Sequence, residues 1–290
     1  MELSGFLQLV VAGILLGAQY ALISIGMTLI FGVMRLFSFA HGGFFVLAAY
    51  LTFQGNMVMG LPFFLAAALT AVLMFGVGML VDHVFIRPIR RRVGAVVVAT
   101  LMLAFILQEG TKVVWGTDFH TFRPFLTGTA SLWEVRFEYQ RSVTFFISMA
   151  VIGGFHLYLK WSRFGRAMRM VAQDRDAAQL LGINVNRVYL VSFGLSAAFA
   201  GLAASFVTPL EVLYPAMGTE YLLIAMAVML LAGLGRINGC IATGFIFGII
   251  QNFTGYFLSP KLAIVSIFIV LILVLLCRPT GLFRGEVLGV

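Results

Sequence analysis

Apolar runs long enough to cross a bilayer fill nearly the whole of this sequence, and that feature decides the fold class. A spanning α-helix needs roughly 20 consecutive apolar residues, because backbone amides inside the hydrocarbon must be satisfied within their own segment. Of the 290 residues 61% are hydrophobic and 10% charged, against about 25% charged in soluble domains, and the mean hydropathy is +1.05. An all-α polytopic membrane protein is expected, a single transmembrane domain over residues 1–290 with no soluble domain inserted. The MELSG start lacks a basic n-region and its apolar run is too long for a signal peptide, so it reads as a retained first helix.

The runs cover residues 6–33, 36–53, 61–81, 93–107, 143–159, 188–207, 221–234, 240–257 and 262–277. That is about 8–9 transmembrane or partly spanning helices. Threading them puts the N-terminus outside and the C-terminus inside. Arg35, the cluster Arg87, Arg90, Arg91 and Arg92, residues 160–187, Arg236, Arg278 and Arg284 then face the cytoplasm, together 14 of the 19 Lys and Arg. The excess of basic residues in cytoplasmic loops accepts this orientation and rejects its mirror. The polar loop 109–141, with Trp115, Asp118, His120, Trp133 and Glu138, becomes extracytoplasmic. Basic residues at span ends explain the net charge of +8 without a nucleic-acid partner; the partner they imply is the lipid bilayer. Cys240 and Cys277 lie in or beside apolar runs and read as small core residues and not as a disulfide.

The most polar long stretch, 160–187, carries Lys160, Arg163, Arg166, Arg169, Asp174, Arg175, Asp176 and Arg187 between two apolar spans. Met168, Val171, Ala172, Ala178, Leu180 and Leu181 fall on or near an i, i+3, i+4 rhythm, the mark of amphipathic helix. Residues 174–181 read as a short helix outside the bilayer, with Gly182 as its C-terminal glycine. Such a stretch serves either as a topology anchor or as a docking surface, and its small apolar face favours docking.

Several chemistries are missing from the pattern. The three lysines, Lys112, Lys160 and Lys261, lack the glycine pattern of a phosphate loop, and the four histidines are scattered singly. No carboxylate sits at a clear midplane position, as ion-coupled carriers usually require, so the driving energy is expected from elsewhere. Polar residues within the runs are mostly neutral: Gln19, Ser24, Thr28, Ser38, His41, Gln251 and Asn252. They serve either as helix-to-helix hydrogen bonds or as the lining of a path for a polar solute. The turn FSFAHGG, with His41, Gly42 and Gly43, either permits close packing or presents a broken helix to a substrate. A short echo links FGVMR at 31–35 with AGLGR at 232–236, each a turn with one Arg followed by a small-residue helix.

Three stretches carry a family resemblance. GAQYALISIGMTLIFGVMRLFSFAHGGFFVLAAY at 17–50, GRAMRMVAQDRDAAQLLGINVNRV at 165–188 and LAGLGRINGCIATGFIFGIIQ at 231–251 make the chain resemble permeases of the branched-chain amino acid ABC transporter family. The resemblance implies an ABC importer permease fold in a bacterial inner membrane and no enzyme activity of its own. ATP and Mg are then expected on two cytoplasmic ATPase subunits, with a second, paralogous permease and a periplasmic solute-binding protein as further partners. By the same resemblance Gly165, Arg166, Arg169, Asp174, Ala177, Ala178, Gly182 and Ile183 form the coupling contact with the ATPase. Ser38 stands where the family commonly has Asn, and Arg236 and Asn238 stand where Ser and Pro are usual. Those departures leave the solute open among branched-chain and other small amino acids, urea, amides and aromatic or organic carboxylates. A stand-alone secondary transporter or channel is the competing class.

Overall fold

A computed structural model describes residues 3–132 and 135–283; Trp133 and Arg284, singled out above, lie outside the described residues. Helix α1 runs Leu3–Met34 and α2 Ala40–Phe53, prolonged by a π-turn Gln54–Val58. Helix α3, Phe63–Val81, passes through a second π-turn, Asp82–Ile86, into the stub α4, Arg87–Ile89. Helix α5 spans Val93–Trp115. An antiparallel hairpin follows, β1 Thr129–Leu132 with β2 Val135–Glu138, in register Thr129 to Glu138. Then come α6 Tyr139–Trp161, α7 Arg163–Gln173, α8 Arg175–Leu180 and α9 Val185–Val207. Helices α10 Met217–Ala232, α11 Ile237–Phe257 and α12 Pro260–Cys277 complete the chain.

Seven described segments are long and apolar enough to cross a membrane: α1, α3 with α4, α5, α6, α9, α11 and α12. Helices α2 and α10, at 14 and 16 residues, are shorter. Both are nonetheless largely buried, enclosed with α1 and α9 by the outer helices. The inner helices are apolar all round, the outer ones expose Leu, Val, Ile and Phe, and the exposed set includes Val72, Leu73, Ile106 and Leu276. A soluble core would hide such side chains; in a bilayer they meet lipid.

Small residues decide which helices touch. Gly13 and Gly17 on α1 face Gly244 and Gly248 on α11, and a Cβ added at Gly17 would lie 2.6 Å from the Phe245 Cα. Two Gly-x-x-x-Gly stripes thus bring two backbones together, the arrangement membrane helices use in place of a hydrophobic drive. Gly78 on α3 meets Gly194 and Ala197 on α9 in the same way.

The layer has two chemically distinct ends. One gathers Arg35, Asp82, Arg87 to Arg92, α7, α8 and the turn 233–236. Across it Arg90 bonds Asn186 at 3.3 Å, and the Leu282 N–H donates to the Leu231 carbonyl at 2.8 Å. We term it the basic end. The hairpin end holds the loops after α5 and α9, tied by a two-way backbone bridge between His120 and Leu213 at 2.9 Å and by Gln140 donating to the Pro209 carbonyl at 2.9 Å.

Several expectations shift in detail. The stretch expected as loop from residue 109 is helical to Trp115, where Gly116 at φ +84 stops α5. Lys112 and Glu109 pair at 2.6 Å one turn apart on that extension, which supports helix. Cys240 is buried as expected, but Cys277 is exposed at the end of α12. Both arms of the echo end alike: Arg35 adopts φ 54 after α1, and Gly233 and Gly235 adopt φ +94 and +79 after α10.

Candidate functional site

At the basic end, α7 and α8 form an elbow whose hinge is Asp174. Its carboxylate accepts from the Asp176 and Ala177 N–H groups at 2.8 and 3.0 Å, an N-cap that starts α8 where α7 has ended. Gly182 at φ +80 closes α8, and the Ile183 N–H reaches back to the Ala178 carbonyl at 3.1 Å, a closure that glycine permits at no steric cost. Asn184 then caps α9 through the Arg187 N–H at 3.1 Å. A segment of six helical residues too short to persist alone is thereby held at both ends.

The inner face of the elbow is apolar: Met168, Val171, Ala172 and Ala178 are all buried. Arg166 donates to the Trp161 carbonyl at 3.0 Å and Arg169 to the Leu159 carbonyl, so two cations sit on the last carbonyls of α6. That is where the helix dipole favours them. The outer face carries Asp174, Ala177, Gly182, Leu180 at 90% exposure and Leu181 at 73%.

Of the eight residues assigned to coupling, Arg166, Asp174, Ala177 and Gly182 are exposed, and Arg169 and Ile183 are half-buried. Gly165 packs on the backbone of Tyr158 and Leu159, and Ala178 is 1% exposed. Those two shape the elbow from inside and present no surface.

A buried ion pair fixes this end to the membrane helices. Asp82 and Arg90 meet at 2.7 Å, with 1% and 12% of their side chains exposed. The Arg90 guanidinium lies 4.5 Å from the Tyr189 ring centroid and reaches Asn186 on α9. Sequence reading gave Asp82 no role, since it lies one position beyond the apolar run 61–81; the π-turn it opens has no sequence signature. A cavity of about 500 Å³ opens beside this lock, between Arg35, Tyr189 and residues 171–176.

The eight residues assigned to a solute path do not converge. Ser24 donates to the Tyr20 carbonyl at 2.6 Å and Thr28 to the Ser24 carbonyl at 2.7 Å, with Thr28 also 2.9 Å from the Cys240 sulfur. Asn252 on α11 donates to the Leu9 carbonyl on α1 at 2.7 Å. His41 Nε2 meets the Ile23 carbonyl at 2.9 Å, its ring seated in the notch left by Gly26. Gly42 abuts Gly218, and Gln19 and Ser38 are buried. Six of these positions sit in helix packing, and Ser38 is buried in the turn between α1 and α2; Gln251, bonded to the Tyr20 hydroxyl, lines an open cavity.

That cavity, about 300 Å³ at the hairpin end, is walled by α1, α10, α11, the start of α6 and the turn after α9. Its polar lining is Tyr20, Arg141, Glu211, Tyr214, Glu220, Tyr221 and Gln251, and Leu16, Val212, Met217 and Ile224 supply the apolar part. The Tyr214 hydroxyl donates to Glu220 at 3.0 Å. Burial raises the Glu211 carboxyl above its ordinary value, Arg141 opposing and Glu220 adding to the rise. Burial likewise pushes Tyr214 up to about 12, with Glu220 and Glu211 contributing. Sequence reading left Glu211, Tyr214 and Glu220 in the stretch between the runs 188–207 and 221–234, without a role. What it lacked was the fold of residues 208–216 back over α10, which brings Glu211 and Glu220 to one mouth.

Comparison with known proteins gives a consistent result. A family model described as branched-chain amino acid transport system / permease component matches residues 9–276. The high-affinity branched-chain amino acid transport system permease protein LivH of Salmonella typhimurium is 31% identical, covering 97% of both chains. Its counterpart BraD of Pseudomonas aeruginosa is 30% identical over 99% of this chain and 98% of its own. The ribose import permease protein RbsC of Escherichia coli matches more locally, 33% identical over 32% of each chain.

Proposed function

The chain belongs to the family of permease components of branched-chain amino acid transport systems, and on that premise we propose that it is the membrane subunit of an ATP-driven importer. Its solutes are branched-chain or other small polar amino acids handed over by a periplasmic binding protein. ATP and Mg act on two separate ATPase subunits at the basic end, and a second permease completes the pathway. The basic end faces the cytoplasm, in keeping with its arginines and with the preference of basic residues for that side. The N-terminus is then outside and the C-terminus inside a bacterial inner membrane.

One observation supports the coupling role above others: Leu180 and Leu181 are the exposed apolar pair of a helix that the chain spends two caps to hold in place. Burying one leucine side chain is worth about 1.5–3 kcal/mol, so the pair suits a groove on a partner. Push on α8 reaches α9 through the Asn184 cap, and α9 reaches α3 through Asn186, Tyr189 and the Asp82–Arg90 pair. Nucleotide-driven closure of the ATPase pair is thereby turned into movement of membrane helices.

The test is co-purification of this chain with an ATPase subunit, with ATP-dependent leucine uptake measured in proteoliposomes. Leu180→Asp with Leu181→Asp is expected to weaken ATPase association by at least tenfold while the chain stays monodisperse. Undiminished association would remove α8 as the docking element, and uptake driven by an ion gradient without any ATPase would replace the importer by a secondary transporter.

A further inference from the structure

The cavity at the hairpin end combines features that no single-charge or neutral solute needs together. Glu211 and Glu220 offer two carboxylates, Arg141 a guanidinium, and Tyr20, Tyr214 and Gln251 neutral hydrogen-bonding groups. Leu16, Met217 and Ile224 add aliphatic wall. At about 300 Å³ it lies at the lower end of the 300–1,000 Å³ typical of small-molecule sites. We propose that this cavity is the permease's own receiving site for an aliphatic α-amino acid zwitterion, with Glu211 and Glu220 holding the ammonium and Arg141 the carboxylate. The proposal deepens the importer reading above and rests on it.

The charges are arranged for exchange. Arg141 leans on Glu138 at 3.2 Å, both side chains being near half exposed. Exposed pairs of this kind hold weakly, so a solute carboxylate in the cavity can displace Glu138, and the planar guanidinium fits it in bidentate fashion. Glu220 already accepts from Tyr214, which leaves its second oxygen for an ammonium. Glu211 and Glu220 line one mouth, so an ammonium placed there meets two carboxylates. On α10 Glu220 stands in the first turn and Ile224 one turn further in, so the same helix face passes from charge at the mouth to aliphatic surface within. A backbone zwitterion at the mouth would point its side chain towards Ile224. Urea or another neutral amide would bring no charge either to the carboxylates or to Arg141.

The test is saturation-transfer NMR on the assembled transporter, with L-leucine as probe against 3-methylbutylamine and 4-methylpentanoate, which keep one charge each. Leucine is expected to half-saturate the site at a concentration at least tenfold below either analogue. Glu211→Gln with Glu220→Gln should raise the leucine midpoint at least tenfold, to that of 4-methylpentanoate, and Arg141→Gln to that of 3-methylbutylamine. Met217→Trp, which fills the cavity without touching a charge, should exclude all three and guards against a charge variant that fails to assemble. Equal binding of the three probes, or wild-type leucine midpoints in the variants, overturns the assignment even where ATP-driven leucine uptake is intact. Absence of ATP-driven uptake of any α-amino acid overturns the solute reading itself, and the cavity proposal with it.

Discussion

Asp82 and Arg90 are eight positions apart, about 12 Å along the axis of an unbroken α-helix. The π-turn over Asp82–Ile86 and the end of α4 at Ile89 interrupt that helix, and the Arg90 guanidinium meets Asp82 at 2.7 Å. With Asp82 1% exposed, the pair is expensive to form and more expensive to break, because removing one partner leaves a buried charge alone. Asp82→Ala is therefore expected to destabilise the chain by roughly 3–5 kcal/mol, and Asp82→Ala with Arg90→Met to recover a large part of that. Thermal unfolding of the purified single and double variants checks this; equal melting of Asp82→Ala and wild type would show the pair to be idle. The histidine in the FSFAHGG turn is the opposite case. Two roles were open to His41 in the sequence, and its burial with a bond to the Ile23 carbonyl places it among the groups that lock α2 to α1.

Among the elements, α8 is where sequence reading came nearest to the structure. Its expected range of 174–181 differs from Arg175–Leu180 only at the caps, because Asp174 and Gly182 announce themselves by type and spacing. Which of its small residues faces outward was not legible, since Ala177 and Ala178 are alike in composition and adjacent in a helix. The structure separates them: Ala177 is exposed and Ala178 is 1% exposed. Ala177→Asp is expected to leave the chain folded and to uncouple ATP hydrolysis from uptake, the new charge being forced into the partner's groove. Ala178→Asp is expected to lower the melting temperature instead, since an unpaired carboxylate inside the elbow costs several kcal/mol. Uptake and melting curves for both variants, measured side by side, distinguish the two; identical behaviour would refute the facing assigned to α8. The helix before it, α7, was given no bounds of its own, since the apolar rhythm from Met168 runs on into α8; the extended backbone of Asp174 at ψ 112 separates the two.

For the whole molecule, nine apolar runs became, among the described residues, seven segments long and apolar enough to span and two short buried helices, a layout set by length and composition. The run 36–53 overstates α2, because residues 36–39 are mostly apolar but precede the helix, whereas the run 221–234 was already only 14 residues long. The placement of basic residues was readable, and it yields a test of orientation. In a Cys277→Ala background, a cysteine at Leu181 should react with a membrane-impermeant maleimide only in inside-out vesicles, and one at Thr127 only in right-side-out vesicles. Reversed labelling would invert the molecule in the bilayer. The charged cavity could not be read at all, since its walls come from five separate stretches between Leu16 and Gln251.

The glycine seam between α1 and α11 has a consequence for energy conservation. A bacterial membrane stores work as a proton gradient, and a file of water molecules along any helix boundary would discharge it. Where Gly13 and Gly17 meet Gly244 and Gly248, a single added carbon would come within 2.6 Å of the Phe245 Cα at Gly17 and within 2.7 Å of the Ile249 Cα at Gly13. A water molecule is larger than that gap. The seam is dry by geometry, so this boundary insulates the membrane while solute passes elsewhere.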